Sequence, residues 1–149
     1  MPISEFCNRE VVFATRETSI QEAAQLMRQY HVGDLVVVDD VDGKRVPVGI
    51  VTDRDIVIEI ISQSLDLNEF NVGDIMSPQL VSVEEKEGVF ETIRLMRVKG
   101  IRRIPVVNQQ GGLEGIVSAD DILDLLAEEL AELAKVAPRE QKREVKTKI

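Results

Sequence analysis

The chain has 149 residues, 44% of them hydrophobic, and a formal net charge of −9 at pH 7. This acidic balance disfavours nucleic acids and anionic membranes as partners, because their phosphates repel a negative protein. No apolar run reaches the roughly 18 residues of a membrane span, and residues 1–5 lack the basic and apolar regions of a signal peptide. We therefore expect a cytoplasmic protein that folds as one globular body.

Metal, redox and catalytic chemistry have few candidate residues in this chain. Cys7 is the only cysteine, which excludes an internal disulfide, a multi-cysteine zinc site and a Cys-x-x-Cys redox pair. His31 is the only histidine and follows a predicted helix, where we expect a packing or surface role rather than a general base. The sequence contains no Walker-type phosphate loop and no metal-ligand spacing. We predict a protein that is not an enzyme and requires no cofactor.

The first half predicts five elements in the order strand, helix, strand, strand, helix. They are a strand at 10–13, a helix capped by Thr18 or Ser19, strands at 35–38 and 46–51, and a helix at 53–61. The first helix has an apolar face at i, i+3, i+4 and i+7. The β-branched run of the second strand suits burial on both faces, and Asp42-Gly43 predicts the turn after it.

The second half repeats the first. At an offset of 69 residues, Leu26-Met27-Arg28 matches Leu95-Met96-Arg97, and at an offset of 66 the segment 49–56 matches 115–122. The repeat predicts an opening strand near Val81 and Val83, a helix around Ile93, strands at 104–107 and 113–117, and a last helix from Ala119. A repeat at this period indicates two units that share a core. The fold class is therefore α/β (α+β) with two β-α-β-β-α units.

The repeat also sets the predicted domain boundaries. They are a first domain at 1–65, a connector at 66–77, a second domain at 78–137 with an extended helix, and a basic tail at 138–149 that we expect to be disordered. The extended helix should end before Pro138. Its leucines at 123, 126, 130 and 133 form a short heptad seam, which packs either on its own domain or on the same helix of a second chain.

A repeated Gly-Ile-Val-[Thr/Ser]-x-x-Asp element is the clearest candidate for a binding site. Thr52 and Asp55 stand three residues apart where a strand ends and a helix begins, and Ser118 and Asp121 repeat that spacing. One interpretation is structural, because this is the capping-box pattern. The other is functional: a carboxylate at a helix start can accept hydrogen bonds from both hydroxyls of a ribose. The neighbouring hydroxyl would then face a phosphate beside the helix N–H groups.

Two arginines supply the second candidate. Arg102 and Arg103 stand just before a buried strand, where guanidinium groups suit phosphate recognition. Arg54 is a third candidate phosphate contact. The alternative is that the arginines pair with some of the 27 carboxylates of the chain. Because the first copy has Gly33 and Asp34 at the equivalent places, we expect one basic cleft and one that is not basic.

Together these motifs resemble a tandem pair of CBS (cystathionine-β-synthase-type) domains. The resemblance rests on the two Gly-Ile-Val-[Thr/Ser]-x-x-Asp-Ile elements, on Ile-Arg-Arg-Ile-Pro-Val-Val at 101–107 and on Asp-Ile-Met-Ser-Pro at 74–78. It covers about residues 8–127 and is nearest to stand-alone bacterial and archaeal members. The resemblance implies two units packed through their sheets with pseudo-twofold symmetry, assembly into homodimers, and adenosine ligands bound between the copies.

The resemblance also implies roles for individual residues. Asp55 and Asp121 would hold ribose hydroxyls, and Thr52 and Ser118 would lie near ribose or phosphate. The adenine would lie among apolar side chains of both copies, namely Ile50, Ile116, Val12 and Val81. Arg102, Arg103 and Arg54 would contact phosphates.

The function predicted from these features is regulatory. The leading hypothesis is a module that binds AMP, ADP or ATP, with Mg²⁺ accompanying a bound polyphosphate, and signals through dimer geometry or a separate effector protein. S-adenosylmethionine or NAD is an alternative ligand. A ligand-free scaffold is the alternative function, and in it the repeated motifs would serve only as helix caps.

Overall fold

The computed structural model describes residues 1–78 and 81–148. The first unit contains strands β1 (Phe13–Ala14), β2 (Asp34–Val41) and β3 (Lys44–Thr52) and helices α1 (Ile20–Tyr30) and α2 (Asp53–Ile56), the latter continued by a π-helical segment at Val57–Ile61. The short helix α3 (Val72–Ile75) lies between the units. The second unit contains β4 (Val83–Glu84), β5 (Arg103–Val107), β6 (Leu113–Ser118), α4 (Val89–Lys99) and α5 (Ala119–Ala134), and α6 (Val136–Lys148) follows it.

Each unit has a three-stranded sheet of the same topology. In the first, β1 pairs parallel with β2 and β2 pairs antiparallel with β3; β4, β5 and β6 repeat this arrangement. Even the irregularities match, because the register shifts at Val37/Val38 and at Val106/Val107. Strands β3 and β6 contact each other and join the two sheets. The predicted α/β class is therefore confirmed.

Local sequence signals explain how these elements begin and turn. Ser19 caps α1, as predicted, and its side chain accepts a hydrogen bond from the backbone N–H of Glu22 at 3.0 Å. Asp42 and Gly43 have φ values of 53° and 80°, which is the left-handed backbone required by a tight two-residue hairpin. The predicted strand at 10–13 is displaced: only Phe13 and Ala14 pair with β2, because the preceding chain is tied to the second unit at Asn8.

Each unit has its own hydrophobic core. The buried residues of the first core are Ala14, Ile20, Ala23, Met27, Leu35, Val37, Val51, Ile56 and Val72. Those of the second are Ile3, Val83, Val89, Met96, Ile104, Val106, Val117 and Ile122. The apolar helix faces and β-branched strands predicted from the sequence supply most of both sets.

The segment that leads into each unit packs on the other one. Ile3, near the start of the chain, is fully buried in the second core, and its N–H donates to the carbonyl of Glu87 at 2.7 Å. Val72, in the connector, is fully buried in the first core. The Gly73 N–H donates to the carbonyl of Arg16 at 2.9 Å. This exchange ties the copies together and forms walls of the clefts between them.

The single histidine, His31, lies at the C-terminal end of a helix. His31 ends α1 in the left-handed conformation, with φ of 55°, and Gly100 ends α4 in the same way, with φ of 66°. The αL residue after a helix lets its backbone N–H close the last turn, and here each N–H donates to a carbonyl of Met27 or Met96. His31 therefore occupies the C-cap position that glycine fills in the second copy.

The C-terminal region differs from the prediction. Helix α5 ends at Ala134, before Pro138 as expected, but residues 136–148 form a second helix where a disordered tail was predicted. Pro138 is in the first turn of α6, where backbone N–H groups make no intrahelical hydrogen bond, so the missing N–H of proline is tolerated. The Arg, Glu, Gln and Lys residues that follow favour a helix. Ile149 lies outside the described residues. Among the residues described, no helix is long and apolar enough to cross a membrane.

Candidate functional site

Two cavities lie between the copies. Cavity A, of about 240 Å³, is formed by Ile50, Thr52, Asp55 and Ser77 with Val81, Ile101, Arg102 and Arg103. Cavity B, of about 140 Å³, is formed by Ile116, Ser118 and Asp121 with Asn8, Glu10, Val11, Val12, Val32, Asp34 and Arg103. Each cavity thus combines the strand end and helix start of one copy with the residues around the opening strands of the other. A larger depression of about 520 Å³ follows the surface of α6 alone.

The helix starts in both cavities are complete capping boxes, as the spacing predicted. In cavity A, Thr52 Oγ1 accepts from the Asp55 N–H at 3.1 Å, and Asp55 Oδ2 accepts from the Thr52 N–H at 2.9 Å. In cavity B, Ser118 Oγ accepts from the Asp121 N–H at 3.0 Å, and Asp121 Oδ2 accepts from the Ser118 N–H at 3.4 Å. Each cap uses Oδ2, and within the described residues neither aspartate accepts a hydrogen bond through Oδ1. The structural role therefore leaves one carboxylate oxygen for a ligand.

Two of the three predicted phosphate-binding arginines, Arg102 and Arg103, are paired with carboxylates. Arg103 Nε lies 3.0 Å from Asp34 Oδ1, and the Asp34 side chain is only 13% exposed. Arg102 Nη2 lies 3.1 Å from Asp120 Oδ1, but these side chains are 71% and 69% exposed. Exposed ion pairs contribute little stability, so a phosphate group can readily replace Asp120 as the partner of Arg102. Arg103 is the more firmly held and lines both cavities.

The two cavities differ in charge. The charged lining residues of cavity A are Asp55, Arg102 and Arg103, which leaves it net positive. Those of cavity B are Glu10, Asp34 and Asp121 against Arg103, which leaves it net negative. Burial raises the pKa of the Asp34 carboxyl, and the nearby Arg103 guanidinium opposes that shift. This agrees with the sequence prediction that only one cleft is basic.

Glycines in the repeated motif let backbone approach closely at the cavity walls. A Cβ on Gly49 would lie 2.7 Å from the Ser77 carbonyl oxygen, and one on Gly115 would lie 2.9 Å from the Asn8 carbonyl oxygen. Ser77 N–H donates to the Ile50 carbonyl at 2.9 Å, and Asn8 N–H donates to the Ile116 carbonyl at 2.8 Å. The glycines therefore allow the two leading segments to pair with β3 and β6 beside the cavities.

The structure brings most of the predicted site residues together. Cavity A includes Ile50, Thr52, Asp55, Val81, Arg102 and Arg103, and cavity B includes Val12, Ile116, Ser118, Asp121 and again Arg103. Arg54 is exposed and is outside the lining of both cavities. Among the residues described, no group of three or more acidic, cysteine or histidine side chains is arranged for a metal ion.

Sequence reasoning missed several lining residues. These are Asn8, Glu10, Val11, Val32, Asp34, Ser77 and Ile101. The repeat contains a signal for five of them, because Asn8 matches Ser77, Val32 matches Ile101 and Asp34 matches Arg103 at the offset of 69. The other two, Glu10 and Val11, depend on how the leading segments cross between units.

Comparison with known proteins agrees with this architecture. A family model of the CBS domain matches residues 3–62 and 72–128. An uncharacterised protein of Methanopyrus kandleri, MK0525, is 39% identical over 123 residues, which are 83% of this chain and 61% of that protein.

Two solved structures are similar over most of the chain. The CBS domain protein PAE2072 of Pyrobaculum aerophilum, complexed with AMP, is 30% identical with a TM-score of 0.72 over 81% of this chain and 89% of that one. The CBS domain pair of protein MJ0100, complexed with 5′-methylthioadenosine and S-adenosylmethionine, is 27% identical with a TM-score of 0.73 over 87% of this chain and 98% of that one.

Proposed function

Because the chain belongs to the CBS domain family, we propose that it is a non-catalytic regulatory module that binds an adenosine ligand between its two copies. One observation carries the proposal: each repeated aspartate faces a cavity between the copies and caps its helix with Oδ2 alone. The similar structures with AMP, 5′-methylthioadenosine and S-adenosylmethionine support the ligand class.

Cavity A is the proposed nucleotide site. The adenine would pack between Ile50 and Val81, and the ribose hydroxyls would donate to Asp55 Oδ1. The phosphate would lie near Arg102 and Arg103. We favour a monophosphate over a triphosphate or a dinucleotide, because AMP is the ligand in the similar structure of PAE2072. Mg²⁺ would then be dispensable, since it was expected only with a polyphosphate.

A ligand in cavity A would act as a regulator by contacting both copies. Asp55 and Ile50 belong to the first copy, whereas Val81, Arg102 and Arg103 belong to the second. A ligand favours the arrangement that it binds more tightly and shifts the population toward it. A partner protein, or the geometry of the assembly, would read that shift.

We also propose that the chain assembles as a homodimer through α5. Leu130 and Leu133 are 66% and 67% exposed, and Phe90 on the adjoining helix α4 is 75% exposed. Such a group of large apolar side chains is typical of an interaction surface. Sedimentation equilibrium should give a dimer for the protein and a monomer for Leu130→Asp. The control variant Glu128→Gln, also on α5, should remain dimeric, and a monomeric unsubstituted protein would contradict the proposal.

Thermal unfolding against a panel of ligands tests the binding function. The panel is AMP, ADP, ATP, S-adenosylmethionine, NAD and GTP, each with and without Mg²⁺, on protein stripped of carried-over nucleotide. A ligand at about 100 times its dissociation constant adds roughly 2.7 kcal/mol of stability, so we expect a clear rise in the unfolding temperature with AMP and none with GTP. The absence of a shift with every adenosine compound at millimolar concentration would support the scaffold alternative, which the completed caps also permit.

A further inference from the structure

Resting on the proposed function, we propose that Asp34 and Arg103 divide adenosine ligands between the cavities. Cavity A accepts a phosphorylated adenosine, whereas cavity B accepts one without phosphate, neutral or positively charged at its 5′ end. The residue that determines this specificity is Asp34.

The division follows from one shared side chain. Arg103 lines both cavities, and its Nε is held 3.0 Å from Asp34 Oδ1. Because Asp34 is only 13% exposed, water screens its charge poorly. In cavity B the guanidinium is therefore already neutralised by a carboxylate of the same cavity. The remaining charged groups there, Glu10 and Asp121, are both acidic.

The repeat makes the contrast direct. At the residue before the second strand and at the first residue of that strand, the second copy has Arg102 and Arg103, which line cavity A. The first copy has Gly33 and Asp34 there, and Asp34 lines cavity B. A phosphate in cavity A meets two guanidinium groups whose carboxylate partners, Asp34 and Asp120, lie outside the lining of that cavity. The same phosphate in cavity B would meet a carboxylate at the matching position, and juxtaposed like charges disfavour binding strongly.

The ribose end of cavity B remains suited to a nucleoside. Asp121 caps its helix through Oδ2, as Asp55 does, and its Oδ1 takes no part in the cap. Ile116, Val12 and Val32 supply apolar surface. Adenosine meets these requirements, as does an adenosine whose 5′ substituent is a thioether or a sulfonium. The sulfonium would gain from the carboxylates that repel phosphate.

Binding calorimetry with AMP and adenosine, which differ only in the phosphate, tests the proposal in an Asp55→Ala background, in which binding to cavity A is weakened. We expect this variant to bind adenosine at least about tenfold more tightly than AMP. Adding Asp121→Ala should remove the remaining adenosine binding and so assign it to cavity B. Adding Asp34→Asn instead should raise the affinity for AMP about tenfold or more.

Asp39→Asn is the matched control. Asp39 lies on the same strand as Asp34 and pairs with Arg16 at 3.0 Å, but neither residue lines a cavity. Added to Asp55→Ala, it should leave AMP binding unchanged. Asp34→Ser replaces Asp34→Asn if circular dichroism shows that the latter is unfolded.

The outcomes separate this inference from the proposed function. Equal affinity of Asp55→Ala for AMP and adenosine, or no gain for AMP on removing the Asp34 charge, would overturn the division while adenosine binding stands. If the unsubstituted protein binds neither ligand, the proposed function fails and the division fails with it.

Discussion

Asp55→Ala is expected to lower the affinity for AMP by roughly ten- to a hundredfold, because hydrogen bonds to a charged group contribute about 1.5–3 kcal/mol. The variant loses the proposed acceptor of the ribose hydroxyls in cavity A. It also loses the cap of α2 through Asp55 Oδ2, which costs about 1 kcal/mol of stability. Isothermal titration calorimetry measures the affinity, and urea unfolding measures the stability.

Asp74→Ala separates the two effects. Asp74 completes a third capping box, in which its Oδ2 accepts from the Asn71 N–H at 2.8 Å, and it lines neither cavity. We expect this variant to lose similar stability and to retain its affinity for AMP. If both variants bind AMP equally well, the repeated aspartates are helix caps alone.

Ile3→Ala is expected to reduce the free energy of unfolding by about 2–5 kcal/mol, the cost of truncating a buried large aliphatic side chain. Ile3 is fully buried in the second core together with Val83, Ile104 and Val117. This effect would be large for the third residue of a chain, since terminal residues are usually poorly ordered unless tied down. Urea unfolding followed by circular dichroism measures it.

Met1→Ala is the matched control, because Met1 is 65% exposed. We expect it to change the stability by less than about 0.5 kcal/mol, as for most surface substitutions. A loss for Ile3→Ala no larger than that of the control would mean that the leading segment does not belong to the second core.

The order and type of the main elements could be predicted because their signals are local and occur twice. The β-branched run at 35–38 lies within β2, and the Asp42-Gly43 turn lies between β2 and β3, where it was expected. The repeat offset then predicts the corresponding strands β5 and β6 in the second copy. Agreement between two copies of one pattern is stronger evidence than either copy alone.

The exchange of leading segments could not be predicted from the sequence. Ile3 and Val72 match each other at the offset of 69, but nothing local indicates which core buries each of them. Helix α6 was missed for another reason: its composition is as typical of a solvated tail as of a charged helix, and Pro138 suggested an interruption.

The candidate site was predictable in its residues but not in its pairings. The motifs predicted that Thr52, Asp55 and Arg102 lie at one cleft, and the structure keeps both interpretations of the aspartate open because its cap uses only Oδ2. Asp34 was noted only as the counterpart of Arg103. Its ion pair with Arg103 depends on the packing of one copy against the other, which residue spacing does not report.

The central claim, that an adenosine ligand binds between the copies, is tested most directly by a crystal structure of the protein grown with AMP. We predict electron density for AMP in cavity A, with the ribose hydroxyls within hydrogen-bond distance of Asp55 Oδ1 and the phosphate beside Arg102 and Arg103. Density for AMP elsewhere, or an empty cavity A at a concentration that saturates binding in solution, would contradict the account.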